Sequence, residues 1–165
     1  MPIRSRKLPA IAVRHARLAD LDDLCELEEL VFGDDRMSRR GLRHFLTAHS
    51  ASVVVAEHLG GVAGYAVVLF RPNSKIARLY SIAVSPNSAG RGIGPALLAA
   101  AEQAALAKQR RTLRLEVHER NHRAIARYRQ AGYHQFGCHE RYYLDCGNAL
   151  RFEKHLERLK AKRKA

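Results

Sequence analysis

Apolar and polar positions alternate from Ile11 to Arg17, with Ile11, Val13 and His15 set against Ala12, Arg14 and Ala16. That period of two predicts a first β-strand. The period then lengthens: Leu21, Leu24, Leu27, Leu30 and Val31 recur at helical spacing behind Asp20, which serves as N-cap, and predict a helix to about Val31. Phe32-Gly33-Asp34-Asp35-Arg36-Met37 interrupts it. Ser38 then caps a second helix to about His49, carrying Leu42, Phe45 and Leu46. Residues 52–57 and 62–70 are strand-like and joined by a hairpin turn at Gly60-Gly61. Pro72-Asn73-Ser74 turns the chain into a further strand over 76–84, so three successive antiparallel strands are expected.

Beyond Val84 the pattern continues with a helix from Pro95 to Lys108, a strand over 112–117, and a helix capped by Asn121 with Ile125 and Tyr128 on one face. Gly132-Tyr133 closes that helix. Residues 133–143 and 149–156 predict a final pair of strands joined by Asp145-Cys146-Gly147-Asn148, although Leu150, Glu153, Lys154 and Glu157 in the last segment also suit a helix. The order β-α-α-β-β-β-α-β-α-β-β predicts an α/β (α+β) domain with a mixed, mostly antiparallel sheet flanked by helices. A strand, crossover helix and strand pair in parallel through a right-handed connection, which places one parallel junction between the strands over 76–84 and 112–117.

The stretch 79–101, LYSIAVSPNSAGRGIGPALLAAA, organises this pattern: an apolar strand, a turn ending in Gly90-Arg91-Gly92-Ile93-Gly94, then Pro95 in the first turn of an Ala/Leu-rich helix. Unpaired backbone N–H groups and the positive end of a helix dipole converge at such a turn and favour a phosphate. No Lys-Ser or Lys-Thr follows the last glycine, so this is not a P-loop. The spacing GxGxG is not the GxGxxG of a dinucleotide site. The competing reading is a set of glycines that only turns a strand into a helix.

Composition narrows the class. At 165 residues, 47% hydrophobic and 27% charged, the chain suits one globular domain over 11–157, with basic ends at 1–10 and 158–165. No apolar run approaches the ~20 residues of a membrane span, and MPIRSRKLPA lacks the apolar core of a secretory leader. Cys25, Cys138 and Cys146 are odd in number and lack a CxxC pair, so a reduced cytoplasmic setting and no metal site are expected. The formal net charge of +13 suits anionic partners such as RNA, the ribosome or a polyphosphate cofactor. Arg4, Arg6 and Lys7 crowd one end; Arg158, Lys160, Lys162, Arg163 and Lys164 crowd the other. The competing reading is a solvated basic surface. A monomer or homodimer is expected.

Two motifs in this order resemble the GNAT family of N-acetyltransferases. One is Val84-Ser85-Pro86 followed by Gly90-Arg91-Gly92-Ile93-Gly94 and Ala96-Leu97-Leu98; the other is Leu115-Glu116-Val117, then Asn121, Ala124-Ile125, Tyr128 and Gly132-Tyr133. Within that family the chain resembles the ribosomal-protein and N-terminal protein acetyltransferases, through Glu28 to Phe32 followed by Ser38, and through the ending Tyr142-Tyr143-Leu144-Asp145-Cys146-Gly147-Asn148-Ala149-Leu150.

The resemblance implies a central parallel strand pair that splays apart, and direct transfer of acetyl from acetyl-CoA to an amine with no covalent enzyme intermediate. It assigns coenzyme A to the backbone of Ile82, Ala83 and Val84, to the turn from Ala89 through Gly90, Arg91, Gly92 and Ile93 to Gly94, and to Asn121, Arg123 and Tyr128. Arg91 and Arg123 are the candidate phosphate contacts. Tyr128 would be the general acid and Glu116 the base or water-ordering group, with His118 a second candidate base. The competing readings are a core tyrosine and a structural Glu–Arg ion pair. Phe32, Tyr80, Tyr142 and Tyr143 would flank a peptide acceptor, which favours a protein N-terminal amine. The alternatives are a small-amine, lysine or antibiotic acetyltransferase, and a catalytically weak module of this fold that binds RNA or ribosome. Two positions depart from the family: Ala89 stands where Arg or Gln is usual, and Pro95 removes one N–H from the anion site.

Overall fold

A computed structural model describes residues 10–157 of the chain. Both basic clusters expected at the ends lie outside the described residues. The elements are β1 (Ala12–His15), α1 (Leu21–Phe32), α2 (Arg39–Thr47), β2 (Ala51–His58), β3 (Gly61–Phe70), β4 (Ile76–Val84), α3 (Ile93–Ala107), β5 (Thr112–His118), α4 (His122–Gln130), β6 (His134–His139) and β7 (Ala149–His155). They form one seven-stranded sheet in the order β1-β2-β3-β4-β5-β7-β6. Every pairing is antiparallel except β4 with β5, as the crossover through α3 requires.

The two faces of the sheet bury separate cores. Ile93, Leu97, Leu98, Ala101 and Ala105 of α3 pack with Ala66, Val68 and Leu79 on one face, where Leu113, Leu115, Val117 and Tyr128 join them. Leu21, Leu24 and Leu27 of α1 and Leu42 of α2 cover Val53, Val55, Tyr65, Val67 and Ala83 on the other. Strands β2 and β3 are therefore apolar on both faces, which is why they appear as continuous apolar runs rather than alternations.

Several local expectations need correction. Asp20 stands at the N-cap of α1, but its carboxylate makes no cap bond. It accepts from the Arg17 N–H at 2.7 Å and from the Arg14 guanidinium at 2.8 Å, because burial beside an arginine rewards the stronger charge-assisted pair. The hairpin turn is Leu59-Gly60, with φ +54° and +80°, and Gly61 already pairs with His58. Helix α3 begins at Ile93, before Pro95. Strand β6 stops at His139, so Tyr142 and Tyr143 lie in the turn that precedes β7 rather than in a strand. The segment Ala149–His155 is a strand, because its partners β5 and β6 hold it between them and override the helix propensity of its residues.

The junction between β4 and β5 is short. Ile76, Ala77 and Arg78 pair with Thr112, Leu113 and Arg114, and then the pairing ends. A bulge explains the parting. Val67 pairs with Ser81 and Val68 with Leu79, so Tyr80 is an extra residue in β4. An added residue bends its strand and sharpens the twist, which carries the rest of β4 away from β5.

Candidate active site

The parted strands open a cleft of two joined lobes. One lobe, of about 430 Å³, is lined by Ser81, Ile82, Val117, Asn121, Arg123 and Tyr128 among others. The second, of about 770 Å³, lies toward the segment linking α1 to α2 and is lined by Glu28, Asp35, Met37, Arg78, Tyr142 and Asp145 among others. Phe32, Tyr80, Ser81, Glu116, His118 and Tyr143 line both, so the lobes form one passage through the sheet.

Past Arg78 the β4 backbone has no strand beside it on the β5 side, an unpaired edge held inside the sheet. Ile82 lines the first lobe, while Ala83 is buried in the α1 face and Val84 packs on the α3 face. These residues therefore offer backbone, not side chains, to an extended ligand. The glycine turn stands at the N-terminus of α3. Gly92 is its N-cap at φ +80°, and the first intrahelical bond runs from Ala96 N–H to Gly92, so Pro95 interrupts none. Gly94 is buried, and a Cβ there would meet the Arg127 guanidinium at 2.5 Å. Arg127 and Arg123, four residues apart on α4, both line the first lobe, and Arg127 also reaches the helix N-terminus at Gly94. This cradle suits a polyphosphate. Ala89 and Arg91 are exposed, and the turn does not itself line the cleft.

Tyr128 is held by the end of its own helix. Asn121 caps α4 by accepting from Ala124 N–H at 3.2 Å and also lines the cleft. At the other end Tyr133 N–H donates to Tyr128 C=O and Gly132 N–H to Arg129 C=O, both at 3.0 Å, with Gly132 at φ +94°. That is a Schellman closure, and its usual apolar contact is the Tyr128–Tyr133 pair at 5.9 Å. Tyr133 is anchored in turn by donating to Glu102, which also pairs with Lys154. The Tyr128 hydroxyl has no hydrogen-bond partner among the described residues. Burial pushes its pKa up to about 12, so it stays protonated at neutral pH.

Glu116, which lines both lobes, accepts from Arg78 Nε at 3.0 Å through Oε2, which leaves Oε1 free of that pair. The ion pair expected of it is therefore present. His118 is different. Its Nδ1 accepts from Arg120 N–H at 3.1 Å, which puts the ring proton on Nε2, donating to Asp145 at 2.8 Å. Neither nitrogen keeps a lone pair for an acceptor amine. The ring instead stacks on Tyr143 at 4.8 Å and holds it over the cleft. Tyr80 packs on Phe45 at 5.1 Å, and Tyr142 lies edge-on to Tyr143 at 5.1 Å. Phe32, Tyr80, Tyr142 and Tyr143, the four residues expected to flank an acceptor, all line the second lobe. Arg127, Ser81 and the Glu28–Tyr65 pair were not anticipated. For Arg127 a signal existed, since it follows Arg123 by one helical turn. For Ser81 none existed, because only the bulge at Tyr80 turns it toward the α1 face.

A cleft between splayed parallel strands, with two arginines and a protonated tyrosine in its lining and a helix N-terminus beside one of those arginines, suits a transferase with two substrates. The family model described as "Acetyltransferase (GNAT) family" matches residues 18–133. This chain belongs to that family and is an N-acetyltransferase; the family uses acetyl-CoA as co-substrate. It is 31% identical over 136 residues, 82% of this chain and 89% of the relative, to a Bacillus subtilis protein named "Putative ribosomal protein bS18-alanine N-acetyltransferase". Among solved structures, the ribosomal-protein-S18-alanine N-acetyltransferase of Escherichia coli superimposes with a TM-score of 0.81 at 21% identity over 93% of this chain and 98% of that one. The ribosomal-protein-alanine N-acetyltransferase of Brucella melitensis does so with a TM-score of 0.76 at 26% identity, over 88% and 99%.

Proposed function

We propose that this chain acetylates the α-amine at the N-terminus of a protein, with the first lobe taking acetyl-CoA and the second the acceptor. The observation that carries the reading is the rim of the second lobe. Phe32, Tyr80, Tyr142 and Leu144 are exposed large apolar side chains gathered there. Such a rim suits a peptide main chain, whereas a closed acidic pocket would suit a small polyamine. The relatives named for ribosomal-protein alanine acetylation support the same direction.

Acetyl-CoA bound there supplies an activated acyl group and a good leaving group. The unpaired β4 edge at 82–84 would hold its amide-bearing arm as an added strand, with the N-terminus of α3, Arg123 and Arg127 on its phosphates. Glu116 Oε1 would take one proton from the acceptor ammonium and pass it to solvent, and the freed nitrogen lone pair would form the N–C bond as the C–S bond breaks. The Tyr128 hydroxyl would donate its proton to the departing thiolate, and the second proton lost by the nitrogen would restore the phenol.

Calorimetry with acetyl-CoA, beside Tyr128→Phe, tests this. The variant strands no partner, so it is expected to fold and bind as the wild type does while kcat falls about 10²- to 10⁴-fold. With its pKa raised to about 12 by burial, the wild-type rate is expected to show no alkaline loss from this tyrosine below about pH 11 in a pH–rate profile. An amine panel follows, and faster turnover of free spermidine or an internal lysine than of an Ala-starting peptide would overturn the choice of acceptor.

A further inference from the structure

Beneath the acceptor lobe lies a carboxylate that the chemistry above does not use. Glu28 is 2% exposed within the α1 core. Its Oε2 accepts from Met37 N–H at 2.6 Å, and its Oε1 accepts from the hydroxyl of Tyr65, which is itself fully buried. The Tyr65 oxygen lies 3.4 Å from Ser81 Oγ, and Ser81 lines both lobes where they join. A chain of three side chains therefore runs from the interior to the floor of the passage, crossing from α1 through β3 to β4.

The direction of the hydrogen bonds along that chain is set at its buried end. Burial raises the Glu28 pKa and the Met37 N–H opposes that rise; in its ionised form the carboxylate only accepts, so the Tyr65 proton is then committed to Glu28. The Tyr65 oxygen is then an acceptor for the Ser81 hydroxyl. With its proton turned inward, Ser81 presents lone pairs to the passage. We propose that Glu28 is a positioning residue that acts through Tyr65 to hold Ser81 as a hydrogen-bond acceptor for an N–H of the incoming amine. An ammonium or amine donates N–H groups, so this polarity welcomes it and disfavours a group that can only accept. After Glu116 takes one proton, an N–H held by Ser81 fixes the direction of the nitrogen lone pair. The inference rests on the second lobe being the acceptor side.

A glutamine at position 28 is the informative change. Its carbonyl oxygen can keep the Met37 N–H, which leaves its NH₂ against the Tyr65 oxygen. Tyr65 must then donate to Ser81, and Ser81 into the passage, so the polarity reverses while the packing stays. Glu28→Gln is expected to raise the KM for an Ala-starting peptide about tenfold, the scale of one misdirected hydrogen bond, with acetyl-CoA affinity unchanged. Ser81→Ala is expected to raise the same KM several-fold and to abolish the further effect of Glu28→Gln in the double variant. A merely structural Glu28 gives additive losses or moves acetyl-CoA affinity as well, and either result overturns the proposal. Should Glu28→Gln not fold, an unchanged KM in Ser81→Ala overturns it alone, and a raised KM that Tyr65→Phe does not raise further in the double variant supports it. Wild-type turnover with additive variants sinks only this inference; absence of turnover with any amine sinks the proposed function with it.

Discussion

Glu116 and His118 stand two residues apart on the same face of β5 and differ in which atoms are already engaged. The pairing of His118 with Arg120 N–H and Asp145 uses both ring nitrogens, so its contribution is to hold Tyr143. Glu116 keeps one oxygen free of Arg78. Glu116→Gln is therefore expected to lower kcat/KM about 10²-fold or more, and His118→Asn far less, in steady-state kinetics on the same peptide. A larger loss in the histidine variant would reverse the two assignments. Sequence alone kept both residues as candidate bases, because the type of a side chain does not say what its atoms are bonded to. The same limit hid Glu28, whose partners lie at positions 37 and 65.

At the scale of elements, the order of strands and helices was legible because each element declares itself by a local period. Caps at Ser38 and Asn121 and the closure at Gly132 were legible for the same reason. What was not legible is how near the elements come. Gly64 of β3 lies under α3, and a Cβ there would fall 2.8 Å from Ala83 O, 2.9 Å from Leu97 Cδ1 and 3.0 Å from Ile93 Cγ2. The first of these is backbone of β4 and cannot swing aside. Gly64→Ala is thus expected to cost about 1–3 kcal/mol and, if Ala83 holds the cofactor as proposed, to weaken acetyl-CoA binding. Thermal melting and calorimetry read the two effects, and an unchanged melting temperature would show that α3 can lift without cost. The length of β6 was likewise misjudged, because Tyr142 and Tyr143 have strand propensity but face a cleft that no local pattern announces.

For the whole molecule, the formal charge of +13 supplies an attractive field for a polyanion, and Arg127 places part of it at the helix N-terminus. Arg127→Met is expected to raise the acetyl-CoA Kd about tenfold at low salt, with the gap narrowing as ionic strength shortens the Debye length. Arg91→Met, at an exposed residue off the cleft, should do less. Equal losses by calorimetry at two salt concentrations would place the phosphates along the turn instead. That Arg127 overlies Gly94, although α4 is distant in sequence from the glycine turn, is a property of the assembled fold. By itself the sequence determined the element order, the single parallel junction, the glycine turn before α3 and the tyrosine on α4, because backbone hydrogen bonding and side-chain periodicity act over a few residues. The tertiary structure alone decided where β4 leaves β5, which arginine overlies Gly94, and which hydroxyl Glu28 orients. Those contacts join residues far apart along the chain, and they exist only once both faces of the sheet have buried their apolar side chains.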